Sequence, residues 1–596
     1  MSLTDASQHQ DDQAYKIRHS AEHILTQAMQ RLYGPDKFYM AMGPATDDGF
    51  YFDFESLNDF KISEEDFTRI EAEMAKIVKE NLPITQKIIS IDEAKKLFAD
   101  NPYKIEWLDS ITDRGEKISV YWTADQFVDL CAGPHVDFTK QVTAFKLLSI
   151  AGAYWHGDEK NKMLTRIYGV AFDSKDKLKE YLKNLEEAKK RDHRKLGKEL
   201  GLFTFSELIG SGLPLYTPKG AFIRLAVNNY VESTQLAQGY TQVWTPQIAK
   251  AKLFQISGHY DKYKDSMFRV VSNYSDEEFF LKPMNCPQHT QIYAAQPHSY
   301  RDLPLRYTDF AMLYRDEKPG ELNGLARVRS FSQDDCHVFC REDQVDEEVD
   351  RALIMTKEIM DTFGLKYKYR LSTRDPNQPE KFLGDPKMWD KVEAWAVKIM
   401  KRNKIEYFDG PGEAAFYAPK MDLIATDALN REWQLSTVQI DYVMPERFDL
   451  EYISQDGTKK RPVMLHRAII GSPERFLMIL LEHFAGAFPV WLSPLQAKII
   501  PITDSQHEYA QQVADTLTKE GIRVEVDQRS EKMQSKIRDA QMQKIPYMLI
   551  IGAREVEQHC LAVRQRDEQD LGAMPVDEFI KQIKEQINNK SLNLIK

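Results

Sequence analysis

The segment from Arg306 to Asp335 reads RYTDFAMLYRDEKPGELNGLARVRSFSQDD, and it decides how the middle of the chain is interpreted. Its first part, 306–317, predicts a strand that runs into a polar loop, and its last part, 326–335, predicts a strand that returns. The loop between them holds the turn residues Lys-Pro-Gly-Glu-Leu-Asn-Gly. Both strands carry arginines, and a guanidinium group matches two phosphate oxygens at once. The segment suits a polyphosphate ligand, although surface salt bridges are the commoner use of arginine.

Two flanking segments add to this interpretation. The stretch 239–246, GYTQVWTP, predicts a turn, a short strand and a proline stop. The stretch 471–477, GSPERFL, opens an apolar helix with Pro473 near its first turn. Arg475 would then lie at the positive end of that helix, where an anion is favoured.

Composition sets the broad class of the chain. It has 596 residues, 42% of them hydrophobic and 29% charged, which is typical of a soluble globular protein of about four domains. Five cysteines exclude a disulfide scaffold and favour a reducing, cytoplasmic compartment. The polar N-terminus predicts no secretory signal, and the longest apolar stretch, 476–492, is too interrupted to cross a membrane. The net charge of −11 gives no general reason to expect a nucleic-acid partner.

The order of patterns along the chain predicts its organisation. No internal repeat or low-complexity segment is present. Periodicity and turn residues divide the chain into a polar tail at 1–14, a mixed block at 15–172, a charged linker helix at 173–199, an aromatic-rich mixed block at 200–492 and alternating strands and helices at 493–596.

The three segments 239–246, 306–335 and 471–477 resemble, in order and spacing, the three signature motifs of class II aminoacyl-tRNA synthetases. The stretches KPMNCP (282–287), RVRSFSQDDCHVF (327–339) and VMLHRAIIGS (463–472) resemble the threonyl-tRNA synthetase family, and the resemblance covers about residues 16–596. It implies a multidomain α+β chain. The antiparallel catalytic sheet flanked by helices would occupy 200–492, between an α+β editing domain at 15–172 and an α/β anticodon-binding domain at 493–596.

The resemblance also implies an activity: ligation of L-threonine, activated by ATP, to tRNA(Thr). It implies a homodimer, because the first motif is a dimer-interface strand in this class, and Mg²⁺ with the ATP. The chain resembles a form of the family without the small N-terminal TGS domain found in many bacterial relatives. The alternative is a synthetase-like paralogue that binds tRNA without charging it.

Specific residues match the family pattern for the synthetic site. Arg315 resembles the residue on the α-phosphate, Glu317 the adenine contact and Arg475 the residue on the γ-phosphate. Asp335 is placed to accept the proton of the threonine hydroxyl. The remaining ATP- and threonine-binding positions are Arg327, Gln333, Tyr417, Gln434, Gln439 and Ser472. Asp316 and Ser436 depart from the usual Asn and Gly beside these contacts.

A zinc site follows from the resemblance and not from any spacing rule. Cys286, His337 and His466 match the family's three ligands, which implies one Zn²⁺ per chain with an open fourth position. Taken singly, each of them is more often a packed residue than a ligand. An apolar pocket separates threonine poorly from the isosteric valine, whereas a site that must bind a hydroxyl rejects the analogue without one.

The N-terminal block contains a second motif with chemical content. His19-Ser-Ala-Glu-His23 places two histidines on one helix face, which also fits an inverted metallopeptidase motif with Glu22 as base. The stretch 129–135, DLCAGPH, favours another interpretation, because it resembles the family's editing site for serine wrongly joined to tRNA. In that site His19, His23, Cys131 and His135 position water and the ester, Asp129 orients them, and no metal is expected. Ala132 and His156 stand where the family has arginine.

The C-terminal block gives the weakest signals. Glu555 and Arg564 match positions that contact anticodon bases in the family, and Arg529 is a further candidate whose following residue, Ser530, replaces the usual Asn. Exposed charges on an ordinary domain are the alternative for each of them.

Overall fold

The computed structural model describes residues 12–46 and 49–595. Most of the tail predicted at 1–14 lies outside the described residues, and a helix already begins at Gln13. The chain forms two compact units that meet in sequence between Glu186 and Glu187. Each unit is described separately below.

The N-terminal unit is built on two small antiparallel sheets. Strands β1, β2, β7 and β6 form one sheet in that order, and β3, β4 and β5 form the other. Helix α1 is capped by Asp12 and buries its apolar side against the first sheet, as the periodicity from Tyr15 to Arg31 predicts. The elements are α1 (Gln13–Tyr33), β1 (Phe38–Met42), β2 (Phe50–Ser56), α2 (Phe67–Glu80), β3 (Ile84–Ile88), α3 (Ile91–Leu97), α4 (Pro102–Asp113), β4 (Ser119–Thr123), β5 (Phe127–Leu130), β6 (Ala144–Tyr154), β7 (Met163–Phe172) and α5 (Lys175–Arg191).

The charged linker is two helices and not the single one predicted over 173–199. Helix α5 ends at Arg191, and α6 (His193–Glu199) follows it directly. Asp192 interrupts the helix because its side chain caps the second helix, accepting a hydrogen bond from the backbone of Arg194 at 2.8 Å. His193 then turns inward to Glu482.

The C-terminal unit contains a large sheet and, after it, a smaller one. Its elements are α6, β8 (Phe203–Thr204), β9 (Leu215–Tyr216), α7 (Pro218–Ala237), β10 (Thr241–Gln242), β11 (Ile248–Lys250), α8 (Ala251–Ser257), α9 (His259–Tyr263), β12 (Arg269–Val270), β13 (Phe279–Leu281), α10 (Cys286–Ala294), β14 (Leu305–Tyr314), β15 (Ser330–Cys340), α11 (Val345–Phe363), β16 (Lys366–Thr373), α12 (Pro386–Arg402), β17 (Tyr407–Pro411), β18 (Lys420–Thr426), β19 (Glu432–Asp441), α13 (Val443–Arg447), β20 (Tyr452–Ile453), β21 (Lys459–Lys460), β22 (Val463–Ala468), α14 (Pro473–His483), β23 (Ala497–Pro501), α15 (His507–Lys519), β24 (Val524–Val526), α16 (Met533–Met542), β25 (Tyr547–Ile551), α17 (Ala553–Gln558), β26 (Cys560–Gln565), β27 (Asp570–Pro575) and α18 (Val576–Asn588).

The large sheet has the strand order β10-β14-β15-β22-β19-β18-β16-β17. Its six inner strands pair antiparallel, and only the two edge strands pair parallel. Helices α7, α11 and α14 contribute to one hydrophobic core with these strands. The antiparallel sheet flanked by helices that the resemblance implies is therefore confirmed.

One predicted boundary in the deciding segment is wrong. The returning strand was expected from Ala326, but β15 begins at Ser330 and runs on to Cys340. Residues 326–329 lie in the loop, where the backbone N–H of Arg327 donates to Asn323 and that of Arg329 donates to Gly212. The strand pair itself is present, since β14 and β15 are hydrogen-bonded from Leu305–Phe339 to Tyr314–Ser330.

The smaller sheet has the order β24-β23-β25-β26-β27. The four strands and three helices that the sequence predicts between 497 and 586 are all present. Helix α17 and strand β27 were not predicted; both are short and lack a clear apolar period. Within the described residues no helix has the length and apolar character needed to span a membrane.

Candidate active sites

Strand register assembles a buried pocket in the large sheet. Gln333, Asp335 and His337 alternate along β15 and so project from one face. His337 lies opposite His466 of β22, and His466 lies opposite Gln439 of β19. The same pocket is lined by Cys286, Arg315 and Tyr417, which come from three further segments. Eight of the predicted synthetic-site residues therefore meet in one place: Cys286, Arg315, Gln333, Asp335, His337, Tyr417, Gln439 and His466.

Cys286, His337 and His466 present their donor atoms to one another. All three are buried, and one atom from each lies within 4.8 Å of the others. Nε2 of His337 is 3.0 Å from Nδ1 of His466. The other ring nitrogen of His466 is 2.7 Å from the carboxylate of Asp441, which fixes the ring and leaves the Nδ1 lone pair directed inward.

A series of hydrogen-bonded buried groups holds His337 on the side of its ring that faces away from His466. Nδ1 of His337 is 2.8 Å from Nδ1 of His289, whose Nε2 is 2.8 Å from the amide nitrogen of Asn285. Lys282 donates to the amide oxygen of Asn285 at 2.8 Å, which determines how that amide is oriented. Burial lowers the pKa of Lys282 to about 8. This series of hydrogen bonds fixes the orientation of the His337 ring.

The electrostatics of this pocket suit a bound cation. Burial raises the pKa of the Cys286 thiol well above its usual range, and the nearby carboxylates of Asp335 and Asp441 raise it further. Burial lowers the pKa of His337 well below the usual range, which keeps the ring neutral. A thiol and two neutral imidazoles are the donors that Zn²⁺ prefers, and a metal cation deprotonates a coordinating thiol. The residues present therefore fit a zinc ion with an open coordination position.

Two half-buried arginines, Arg315 and Arg475, form a positive region at and beside the pocket. Burial lowers the pKa of Arg315, and burial followed by the charges of Arg315 and Arg327 lowers the pKa of Arg475. Such mutual repulsion in a desolvated place favours a polyanionic ligand. Nε of Arg475 donates to the backbone oxygen of Ala326 at 3.1 Å, so the loop and the start of α14 are tied together.

Glu317, Arg327 and Ser472 lie near these arginines but have partners of their own. Arg327 donates to Glu317 at 2.7 Å and to Glu321 at 2.8 Å. Ser472 caps α14, and its hydroxyl donates to Glu474 at 2.9 Å. A ligand that uses Glu317 or Ser472 must share or replace these contacts.

Gln434 is outside the pocket lining, unlike Gln439, the other predicted residue of β19. Its amide nitrogen donates to Asp422 at 3.0 Å, and its oxygen accepts from Arg370 at 2.9 Å. The pairing of β18 and β19 shifts between Asp422 and Ile424, and the extra residue of β19 at this bulge places Gln434 on the same face as Gln439, further along the strand. Ser436, the departure from the family pattern, is buried and donates to the carbonyl of Ala468 at 2.8 Å.

Sequence reasoning missed His259 and Met284. Nε2 of His259 lies 2.9 Å from the sulfur of Met284 and 3.8 Å from the sulfur of Cys286, and burial lowers the pKa of this histidine to about 3. Met284 lines the pocket. A glycine before His259 and a helix of only five residues gave no chemical signal in the sequence.

The N-terminal unit contains a second Cys/His cluster, as its sequence predicts. His19 and His23 of α1 meet Cys131 and His135, and the four donor atoms lie within 4.8 Å of one another. The sulfur of Cys131 is 3.3 Å from Nε2 of His19 and 3.2 Å from Nε2 of His135. The outer nitrogen of His19 faces the carbonyl of Pro134 at 3.2 Å, and that of His135 faces the hydroxyl of Ser20 at 3.1 Å.

Desolvation keeps this second cluster uncharged. Burial lowers the pKa of His19 to about 4 and that of His135 well below its usual range. Burial also raises the pKa of the Cys131 thiol. The groups are therefore neutral proton donors and acceptors near pH 7, suited to positioning water and an ester.

Asp129 lies beside the cluster and is paired. Lys104 contacts its carboxylate at 2.6 Å, and both side chains are buried. Ala132 lines the pocket that contains this N-terminal cluster. His156 lies outside that lining, and its ring is 2.8 Å from Glu106.

The predicted anticodon residues occupy the smaller sheet and its edge. The carboxylate of Glu555 accepts a hydrogen bond from the backbone of Gly552 at 2.8 Å and so caps α17. Arg529 is held by Asp527 at 2.6 Å and Asp539 at 2.7 Å. Nε of Arg564 is buried and has no hydrogen-bond partner in the described part of the chain.

Three family models match the chain where the resemblance predicts. Residues 268–484 match the tRNA synthetase class II core domain (G, H, P, S and T), and residues 496–586 match the anticodon binding domain. Residues 118–168 match the threonyl and alanyl tRNA synthetase second additional domain. The fold is thus that of a class II aminoacyl-tRNA synthetase that carries an editing module.

Whole-chain relatives narrow this class. A threonine–tRNA ligase of Rubrobacter xylanophilus is 49% identical over 556 residues, which are 93% of this chain and 86% of that one. One of Gloeobacter violaceus is 46% identical over 593 residues, covering 97% of this chain and 93% of that one. The chain belongs to the threonine–tRNA ligase family, and it is a ligase. The metallopeptidase hypothesis for residues 19–23 is therefore not retained.

Solved structures agree with this membership. The RNA binding domain of threonyl-tRNA synthetase from Cryptosporidium parvum superimposes with a TM-score of 0.63 at 36% identity, over 66% of this chain and 98% of that one. A prolyl-tRNA synthetase from the same organism reaches a TM-score of 0.53 at 17% identity and shares the fold alone.

Proposed function

We propose that the chain activates L-threonine with ATP and transfers it to the 3′ end of tRNA(Thr). The observation that carries this proposal is the meeting of Cys286, His337 and His466 with Arg315 and Asp335 in a single pocket. The Cys286, His337 and His466 cluster suits recognition of a hydroxylated amino acid, and Arg315 suits binding of a phosphate. Their adjacency places the two reactants of adenylate formation together.

The proposed chemistry needs no covalent enzyme intermediate. The threonine carboxylate attacks the α-phosphorus of ATP in line, and pyrophosphate leaves. A ribose hydroxyl of the terminal tRNA adenosine then attacks the activated carbonyl, and AMP leaves. Arg315 and Arg475, desolvated in advance, stabilise negative charge that develops on the phosphates, with Mg²⁺ bound to the ATP. Gln333, Tyr417 and Gln439 orient the amino acid.

Cys286, His337 and His466 would hold one Zn²⁺. Bound there, the ion would supply Lewis-acid contacts to the amino and hydroxyl groups of threonine, which an amino acid without the hydroxyl cannot satisfy. Asp335, buried and 3.7 Å from His337, would accept the proton of the threonine hydroxyl.

Threonine-dependent ATP–pyrophosphate exchange tests the synthetic proposal. Exchange with threonine, together with weak exchange with serine and none with valine, is expected. A protein that binds tRNA(Thr) but gives no exchange would be the non-charging paralogue. Full exchange by a protein freed of zinc would contradict the role given to the metal.

We also propose that His19, His23, Cys131 and His135 hydrolyse seryl-tRNA(Thr) without a metal. Serine keeps the hydroxyl and lacks only a methyl group, so the synthetic pocket rejects it weakly. The neutral cluster would position water against the ester, and the Lys104–Asp129 pair would hold its orientation. Added seryl-tRNA(Thr) should be deacylated by the unmodified protein and persist when His19 and His135 are replaced by Ala, with threonine charging retained.

The domain limits and tRNA contacts complete the proposal. An editing domain at 15–172, a catalytic domain at 200–492 and an anticodon-binding domain at 493–596 agree with the matched families in order. Arg564 is the most available of the proposed anticodon contacts, because Glu555 and Arg529 have intramolecular partners.

We propose a cytoplasmic homodimer. The support for a dimer is the set of exposed apolar side chains on α7 and the segment after it, Leu225, Leu236 and Trp244, of which Trp244 is 74% exposed. All five cysteines are free thiols, as in a reducing compartment. Light scattering during size-exclusion chromatography measures the mass, and Trp244→Asp should shift it towards the monomer.

A further inference from the structure

Glu22 is the residue of the His19–His23 motif that the proposed mechanism leaves unused. Its side chain is only 2% exposed, yet it lines the same pocket as His19, His23 and Cys131. One donor atom each from Glu22, His23 and Asp129 lies within 4.8 Å of the others. A carboxyl group therefore stands directly beside the groups that would handle the ester.

The surroundings of Glu22 fix its carboxyl in the pocket. The Thr26 hydroxyl donates to Oε1 at 2.8 Å, one turn further along α1. Behind the carboxyl lies the backbone of Gly43, so closely that a Cβ at that position would come within 2.0 Å of Cδ of Glu22. Oε2 is 3.8 Å from Nε2 of His23. Thr26 and Gly43 thus prevent the side chain from turning away.

The two carboxyl groups of this pocket differ in their partners. Asp129 is neutralised by Lys104 at 2.6 Å. Within the described residues Glu22 makes no ion pair with a lysine or an arginine. Burial, and after it the charge of Asp129, raises the pKa of Glu22 well above its usual range. A buried carboxyl group without a cation is costly to ionise, so a ligand that brings a cation gains by binding there.

We propose that Glu22 binds the α-amino group of the mischarged amino acid in the editing pocket. The proposal rests on the editing function proposed above. An aminoacyl ester has one cationic group, and only the α-carbon separates its nitrogen from the ester carbonyl. The residue that binds this nitrogen must therefore adjoin the residues that position the carbonyl, as Glu22 adjoins His23. Because the α-amino group of a peptide has a pKa of about 7.7–8.0, its free base is available near neutral pH. The free amine of the bound ester takes the proton of Glu22, and the resulting ammonium and carboxylate form an ion pair.

A cycle of two proteins and two esters tests the assignment. The proteins are the unmodified chain and Glu22→Gln, which keeps the size of the side chain and cannot give up a proton to become a carboxylate. The esters are seryl-tRNA(Thr) and its product of nitrous acid deamination, which has a hydroxyl in place of the amino group. A hydrogen bond to a charged group corresponds to roughly 10- to 100-fold in rate. Glu22→Gln should slow hydrolysis of seryl-tRNA by that factor and hydrolyse the deaminated ester as fast as the unmodified chain does.

Three results overturn the assignment. If Glu22→Gln hydrolyses seryl-tRNA at the unmodified rate, the carboxyl has no part in binding. If it slows both esters equally, Glu22 acts on water or on the structure of the pocket and not on the amino group. If the unmodified chain hydrolyses neither ester, the proposed editing function fails and the assignment fails with it.

Glu116→Gln is the matched control. Glu116 lines the same pocket, but Arg114 contacts its carboxylate at 2.7 Å. Its replacement should change seryl-tRNA hydrolysis by no more than about two-fold, as is typical of a surface pair. Hydrolysis of the deaminated ester, which uses the same unit of the chain as these residues, reports whether that unit is folded in each variant.

Discussion

The chain contains two buried Cys/His clusters that resemble each other in composition and differ in what surrounds them. In the C-terminal unit, the outer nitrogen of His466 faces the carboxylate of Asp441 at 2.7 Å, and Asp335 lies nearby. In the N-terminal unit, the outer nitrogens of His19 and His135 face a carbonyl and a hydroxyl. Lys104 also lies beside that second pocket. In the first cluster a carboxylate bonds directly to a ligand histidine, whereas in the second the groups bonded to the outer nitrogens are neutral, the Asp129 carboxylate is paired with Lys104, and the Glu22 carboxyl lies beside His23.

The types of the donor residues alone therefore do not define a metal site. A carboxylate behind a histidine increases the basicity of the ring and stabilises a cation in front of it. A carbonyl or hydroxyl fixes the ring without adding charge. The four donors of the N-terminal cluster are as close together as the three of the C-terminal one. We expect the N-terminal cluster to act by proton transfer and not to bind a metal, and the following predictions test that distinction.

Replacing each of the two cysteines by alanine should separate the functions of the two clusters completely. Cys286→Ala should lose the zinc, about one ion per chain in the unmodified protein, together with all threonine-dependent exchange. Cys131→Ala should keep the zinc and the exchange and lose hydrolysis of seryl-tRNA. Metal analysis and the two assays on both variants decide the matter. Two zinc ions in the unmodified protein, one of them lost in Cys131→Ala, would place a metal in the N-terminal cluster as well.

Arg315→Ala should reduce adenylate formation by about 10²–10³-fold, because one preorganised donor to the phosphate is removed. The guanidinium is desolvated before ATP arrives, so water cannot replace it at low cost. The measurement is pyrophosphate exchange at saturating threonine, with zinc content and seryl-tRNA hydrolysis expected to be normal. Arg301→Ala, at an exposed position, is the control. A near-normal rate in Arg315→Ala would mean that the phosphate lies elsewhere.

Much of this arrangement follows from the sequence, and the exceptions have physical causes. Local alternation predicts the strand pair at 305–340, and the Ser472-Pro473 start predicts the helix that begins at Pro473. The meeting of Cys286 with His337 and His466 cannot be predicted locally, because it depends on strand order and register over more than a hundred residues. Only the resemblance supplied it. Gln434 shows the limit of that route, since its side chain is engaged by Asp422 and Arg370 outside the pocket lining.

The outer partners of the histidines could not have been predicted from sequence at all. His289 lies one turn beyond Cys286 on α10, where its pattern is that of any buried helical residue. Asp441 ends β19 and reads as the cap of α13, a role it also has, since it accepts hydrogen bonds from Val443 and Met444. Such residues become visible only when the three-dimensional contacts are known.

Asp441→Asn should sharpen the comparison by changing the surroundings of one cluster without touching its ligands. The amide keeps the size of the side chain and the acceptor that caps α13, but it removes the negative charge behind His466. Loss of such a partner typically weakens metal binding 10- to 100-fold. Competition with a chromophoric chelator measures the zinc affinity. Ser20→Ala, the equivalent change behind His135, should leave it unchanged. An unaltered affinity in Asp441→Asn would mean that the carboxylate does not govern the metal.

The smallest expected effect distinguishes two glutamines of the same strand. Gln439 lies in the pocket, and its Oε1 is buried without a hydrogen-bond partner among the described residues, so it is available to a ligand. Gln434 is engaged with Asp422 and Arg370 outside the pocket lining. A single neutral hydrogen bond is worth about 1 kcal/mol, or roughly five-fold. Gln439→Ala should therefore raise the KM for threonine by about that factor, and Gln434→Ala should leave it within about two-fold. Equal effects of the two replacements would show that the family pattern, and not the side-chain contacts seen here, describes the pocket when substrates are bound.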